Sequence, residues 1–215
     1  MIILDIETTG QNPLTHAVVS MGALDFENPK NQFYSECRIE YATAVDPIAL
    51  QINGFTEQQI NDPTKKSAGE LVQAFLKWAG TIEDQTIGGH NVYFDVAFLN
   101  KVFERYGLAQ LFPERANVPY AFFGIKQALG AKIVDLHSLT FATLLQKKIK
   151  PPLKNNLSAL RTDEIFTLLG LPPEPKPHHG LMGAKMEAEA FSRVINGKSL
   201  LEEFQHHPIP EFLQH

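Results

Sequence analysis

The sequence predicts an α/β fold built on a mixed β-sheet. Ile2 to Glu7, Ala17 to Phe26 and Phe33 to Ile39 are β-rich runs separated by turn residues (Gly10, Asn12, Pro13; Asn28, Pro29, Asn31), and read as three antiparallel strands joined by hairpins. After Pro47 the pattern changes to alternating strand and helix signals, and the chain finishes in helices. A meander, then β-α-β-α units, then helices is the order of a mixed sheet with helices packed on it.

Each later element has its own signal. Thr56 to Ile60 and Ser67 to Trp78 look helical, with Ser67 as N-cap and Glu70 three residues on completing a capping box. Thr86 to Asn91 is a short strand, followed by the helical stripe Val96, Leu99, Val102 and Phe103. Lys132 to Asp135 is a further strand, feeding a helix from His137 to Lys148. Two last helices are expected over Asn156 to Leu169 and Leu181 to Asn196, the second closed by Gly197. Residues 108–130 have no clear period. Pro172, Pro173, Pro175 and Pro177 make a stiff connector that determines where the last helix begins. The tail, His206 to His215, reads equally as a docking arm or a frayed end.

Composition narrows the classes. A chain of 215 residues with 44% apolar and 20% charged residues buries a sizeable core, and its length favours one domain. It has no run of about 18 apolar residues, and opens on a strand-like Met1 to Asp5, so neither a membrane span nor a secretion signal is expected. The single Cys37, inside an apparent strand, is expected to be a buried structural thiol in a reducing, cytoplasmic setting. The net charge of −5 excludes a long basic nucleic-acid-coating surface, so any such contact is local. Lys147, Lys148, Lys150 and Lys154, with Arg161 further on, form either a solvated helix end or a site for substrate phosphates.

The chemistry lies in the acids. Successive strand side chains alternate faces, so Asp5 and Glu7 project on one side, roughly 6.6 Å apart along the strand. Burying two unpaired carboxylates costs several kcal/mol, and the apolar Ile2-Ile3-Leu4 before them suggests a central strand. A cation removes the problem; hard oxygen ligands with no nearby Cys point to Mg²⁺ or Mn²⁺.

Asp5-Ile6-Glu7-Thr8-Thr9-Gly10 resembles the first motif of the DnaQ-like exonuclease family of DEDDh type, and Gly89-His90-Asn91-Val92-Tyr93-Phe94-Asp95 is similar to its second. Asp95 is read as a metal ligand with a helix cap as the alternative, and His90 and Asn91 as supporting residues. Pro47 to Phe55 is similar to the segment lining the terminal-nucleotide pocket, with Asn53 where many members have His. Thr9, Gly10, Ala49 and Asn53 are thereby candidates for contacting the 3′-terminal nucleotide. The third motif is a His followed five residues later by Asp. His178 takes the His position, with His179 in reserve, but Gly183 stands where the Asp belongs. On a helical wheel Ala184, Ala188, Phe191 and Ile195 form the core stripe, Glu189 lies well away, and Glu187 alone shares the edge of Gly183. Side chains lean toward the helix N-terminus, so Glu187 is the candidate to reach back and restore a fourth carboxylate.

The resemblance covers roughly residues 1–197, leaving 198–215 as a C-terminal tail. It implies a ribonuclease H-like fold with a five-stranded mixed sheet. Two divalent ions would be held by Asp5, Glu7, Asp95 and Glu187, with His178 as general base. The implied reaction releases 5′-mononucleotides from 3′ ends of single-stranded nucleic acid, DNA in a proofreading type or RNA in the RNase T and oligoribonuclease branches. A silent nucleic-acid-binding module, for which the absent Asp speaks, is the rival of another class. Association with a polymerase and self-association stay open.

Overall fold

A computed structural model describes residues 1–40, 43–108 and 132–214, and the backbone of 121, 122, 125 and 126. Strands β1 (Ile2–Thr8), β2 (Val18–Asp25) and β3 (Gln32–Glu36) form the expected antiparallel meander. Strands β4 (Ile87–Gly89) and β5 (Ile133–Asp135) add in parallel beyond the other edge of β1, giving the order β3-β2-β1-β4-β5. This is the ribonuclease H-like sheet. Strand β1 is central and covered on both faces, which is why it begins with an unbroken apolar run. Ile2, Leu4 and Ile6 enter one core with Phe75 and Phe98, while Ile3 enters the other with Phe166 and Phe191. By the two-residue alternation, Asp5 and Glu7 lie on the face of Ile3.

Helices α1 (Pro47–Asn53), α2 (Glu57–Ile60), α3 (Ala68–Ala79), α4 (Tyr93–Arg105), α5 (Leu136–Gln146), α6 (Thr162–Leu168) and α7 (Gly180–Asn196) follow in chain order. The capping box of α3 forms as expected, Ser67 Oγ accepting from the Glu70 N–H and Glu70 Oε2 from the Ser67 N–H. Helix α1 adds an element the sequence did not announce. Asp46 caps its start, Pro47 suits the first turn, and Gly54 closes it at φ 73°. The helix expected from Asn156 begins only at Thr162. Asn155 and Asn156 adopt φ of 52° and 62°, a conformation Asn tolerates and a helix forbids. They turn a hairpin between Leu153–Lys154 and Leu157–Ser158. Most of 108–130 lies outside the described residues. Cys37 is buried, and burial pushes its thiol up to about 12, as suits an inert structural residue. No helix among the described residues is long and apolar enough to cross a membrane.

Helix α7 closes on Gly197 at φ 62° as expected, and Ala184, Ala188 and Phe191 are fully buried. Ile195 corrects the expected stripe: it is 45% exposed, because the last turn emerges into solvent. Glu189, placed off the stripe, is fully buried too, paired with Arg193 at 2.8 Å. Arg193 also donates to the carbonyls of Leu169, Phe204 and His207, and Glu189 accepts the N–H groups of Leu200 and Leu201. The pair thus ties residues after 197 to the body, where Leu201, Phe204 and Leu213 enter the second core. Removing one partner of a buried pair strands the other charge. Arg193→Ala is therefore expected to lower the unfolding free energy by about 3–5 kcal/mol in urea titration, and a loss below about 1 kcal/mol would contradict the clamp.

Candidate active site

The end of β1 is held in place before any acid is positioned. Asn53 Nδ2 donates to the Thr8 carbonyl at 3.0 Å, and Thr9 Oγ1 donates to Ala44 O and accepts from the Ala17 N–H. Thr9 and Asn53 are buried, their side chains engaged in this scaffold. A register shift falls between Glu7 and Thr8, directly after the acidic pair.

Asp95 reaches this strand from the first turn of α4, its Oδ1 accepting the Ile6 N–H at 3.0 Å between the two strand acids. Neither Asn91 nor Asp95 is the N-cap of α4; Val92 is. His90 has both ring nitrogens engaged, with Leu160 O at 3.1 Å and Thr162 Oγ1 at 3.0 Å, a supporting role. The Asn91 N–H donates to Asp135, which also caps α5.

Helix α7 crosses this end of the sheet at close range. A Cβ at Gly22 of β2 would overlap the backbone at Leu181, so only glycine lets the helix start come so near. At Gly183 a Cβ would overlap Oδ2 of Asp5 and lie 3.2 Å from Oε1 of Glu174. Those two carboxylates therefore border the space of the absent side chain, and no atom of Glu187 is among the three nearest to it. Glu187 is nevertheless in the site. It is 5% exposed, and its charge acts on both Asp5 and Asp95.

His178 stands just before α7, its N–H donating to Ile52 O at 2.9 Å and its Nδ1 lying 3.6 Å from Glu174 Oε2. His179 instead stacks on Tyr34, ring centroids 4.3 Å apart, and is not among the residues lining the cavity. That cavity, about 470 Å³, is lined by Asp5, Glu7, Asp95, Glu174, Glu187 and His178 with their neighbours; Thr9, Gly10, Ala49 and Asn53 lie outside its lining. Among the described residues Arg161 is the one Arg or Lys in the lining, next to Glu164, with which it pairs.

Five of the seven carboxylates among the described residues lining the cavity resist ionisation. Burial, then the charges of Glu187, Glu7, Asp95 and Glu174, hold Asp5 well above its ordinary range. Burial and then Glu174 and Asp95 raise Glu7 to about 8. Asp95 is raised to about 8 by burial despite the Ile6 N–H, and Glu174 to about 7 by burial and Asp163. Burial, followed by Asp95, also raises Glu187. Burial lowers His178, with Asp163 opposing. Oε1 of Glu174 and Oε2 of Glu187 are buried without a hydrogen-bond partner among the described residues. Leaving such oxygens orphaned is costly, and an all-oxygen set with one imidazole is suited to a hard divalent ion. The residues present therefore fit a divalent cation.

Glu174 is the site residue that sequence reasoning missed. It sits in the proline-rich connector, where no period applies, and its only signal was an acid four residues before His178.

A mixed sheet of this order, with buried acids converging at the end of its central strand, defines a metal-dependent nuclease of the ribonuclease H-like class. The chain belongs to the exonuclease family, whose profile matches residues 2–127. It is 26% identical over 207 residues to the DNA polymerase III subunit epsilon of Haemophilus influenzae, covering 93% of this chain and 69% of that one. It is 25% identical over 190 residues to the 3'-5' DNA exonuclease Cap18 of Escherichia coli, covering 81% and 94%. A PolC-type DNA polymerase III of Thermotoga maritima is 29% identical over 194 residues, of which the chain spans only 12%. Among solved structures, the nuclease domain of 3'hExo, a DEDDh family member bound to rAMP, superposes with a TM-score of 0.64 at 16% identity, covering 98% of this chain and 95% of that one. Exonuclease I of E. coli in complex with a 5cy-dT13 oligonucleotide superposes with a TM-score of 0.60 at 17% identity, covering 91% and 40%.

Proposed function

We propose that this chain is a 3′→5′ exonuclease that removes nucleoside 5′-monophosphates from the 3′ end of single-stranded DNA. The carrying observation is that Asp5, Glu7 and Asp95, remote in sequence, line one cavity together with His178. Mg²⁺ or Mn²⁺, two ions in number, would be held by Asp5, Glu7, Asp95 and Glu187; bound there, they activate water and neutralise charge on the phosphate. His178 is the general base. Its lowered pKa keeps the imidazole neutral near pH 7, and with Nδ1 turned to Glu174, Nε2 is left to take the proton. Arg161 at the cavity wall suits a substrate phosphate. Thr9 and Asn53 pin the end of β1 to the segment that carries α1, so that Gly10 and Ala49 are left to meet the terminal nucleotide. Residues 1–197 would form the catalytic unit, with 198–215 a C-terminal segment packed onto it through Leu201, Phe204 and Leu213.

DNA is placed first because relatives named for DNA polymerase III and for a DNA exonuclease cover most of the chain. RNA is the second reading, favoured by the likeness to a nuclease domain bound to rAMP. The silent module fits less well, since orphaned buried carboxylates suit a filled site. The epsilon likeness makes a polymerase the first partner to try, and buried Cys37 is compatible with the cytoplasm.

Labelled single-stranded DNA and RNA, incubated with Mn²⁺, Mg²⁺ or chelator, test the reading. Metal-dependent shortening from the 3′ end, faster on DNA, is expected, and inertness on every substrate with either metal would favour the silent module. His178→Ala should lower turnover about 10²–10⁴-fold and remove the acid limb of the pH profile. A variant that keeps this limb would reassign the base.

A further inference from the structure

The DEDDh pattern leaves one position unfilled, and the structure offers two glutamates near it. Glu187 lies one helical turn after Gly183 and acts on both Asp5 and Asp95, but none of its atoms is among the three nearest to the point a Cβ of residue 183 would occupy. Glu174 comes from the connector, and its Oε1 lies 3.2 Å from the point a Cβ of residue 183 would occupy. Its side chain is only 8% exposed, and that oxygen has no hydrogen-bond partner. One ligand atom each from Glu7, Glu174 and His178 lie within 4.8 Å of one another, the spacing of groups that share an ion. The connector holds this placement: the Glu174 N–H donates to Asp163 Oδ1, and the His178 N–H to Ile52 O. An ordinary salt bridge does not explain the burial: among the described residues its one ion-pair contact is His178 at 3.6 Å, and its other charged neighbours are acids, with the His179 backbone N–H beside them.

We propose that Glu174 is a ligand of the divalent ion bound at Glu7, supplying from the connector the carboxylate that helix position 183 lacks. The proposal rests on the nuclease reading above and adds a metal ligand to it. It also gives the glycine a reason: with the fourth carboxylate coming from outside the helix, position 183 must be small enough to admit both Asp5 and Glu174. Glu187 then stays with Asp5 and Asp95, and Glu174 with Glu7 and His178.

The test counts Mn²⁺ by electron paramagnetic resonance on the whole protein, with melting temperature as a second readout, for the unaltered chain, Glu174→Gln and Glu164→Gln. Glu164 lines the cavity but is paired with Arg161, so its variant reports the effect of losing one nearby charge. Glu174→Gln is expected to weaken Mn²⁺ at least about tenfold, more than Glu164→Gln, since even groups that only support metal ligands change affinity by 10–100-fold. Without metal, the Glu174→Gln protein should melt at the same temperature as the unaltered chain or higher, which shows that it folds, while its stabilisation by Mn²⁺ shrinks. Equal Mn²⁺ affinity in the unaltered chain and Glu174→Gln would overturn the proposal and leave the nuclease reading intact. Failure of the unaltered chain to bind Mn²⁺ would overturn both.

Discussion

Asp5→Asn is expected to reduce hydrolysis at least ~10²-fold, the scale for removing one group aimed at developing charge, or about 2.7 kcal/mol of transition-state stabilisation. The reason is position. Asp5 is the acid acted on by all four others, and its carboxylate occupies the space at Gly183. An amide there keeps the shape and removes the charge, so cation affinity falls with turnover. The same change relieves repulsion, so the metal-free variant should melt at a higher temperature than the unaltered protein. Loss of activity with a gain in metal-free stability separates a damaged site from a damaged fold. Single-turnover hydrolysis of a labelled oligonucleotide and a melting scan in chelator read the two effects. More than about a tenth of the activity surviving would remove Asp5 from the centre of the site.

The second large effect concerns pH. Glu7 and Asp95 titrate near 8 in the folded chain and Glu174 near 7, against ordinary values of 4.5, 3.8 and 4.5. Between about pH 4 and 8 the folded state therefore holds more protons than the unfolded one, and stability must fall as pH rises. For Glu7 alone, the distance from 4.5 to about 8 corresponds to on the order of 5 kcal/mol. The metal-free protein is expected to be most stable near pH 4–5 and to lose stability progressively up to pH 8. A saturating divalent ion binds the ionised carboxylates and should flatten or reverse that slope. Melting temperatures at pH 5, 6, 7 and 8, with chelator and with Mg²⁺, check it. A metal-free melting temperature that stays level or climbs over this range would mean that the acids are not crowded as the structure has them.

Parts of this site were legible before any fold was known. The two-residue period of β1 puts Asp5 and Glu7 on one face, and the apolar run Ile2 to Leu4 marks the strand as central, because both follow from local geometry and burial. The helical period of α7 likewise put Glu187 on the edge of Gly183, and Glu187 does line the cavity. Periodicity failed where a residue answers to a distant partner. Glu189 is buried because Arg193 and the N–H groups of Leu200 and Leu201 meet it, which no wheel can show. Asn156 opens the stretch expected to be helical, yet with Asn155 its left-handed backbone turns a hairpin instead.

By itself the sequence determined the sheet, its acidic strand end and the family motifs, since each is written in neighbouring residues that act on one another through a few bonds or one helical turn. Tertiary structure alone decided that Glu174 joins the cavity, that His178 and not His179 lines it, and that Asp5 leans into the place a larger residue at 183 would take. Those outcomes depend on how closely α7 and the connector settle on β1 and β2, a matter of packing between segments far apart in the sequence.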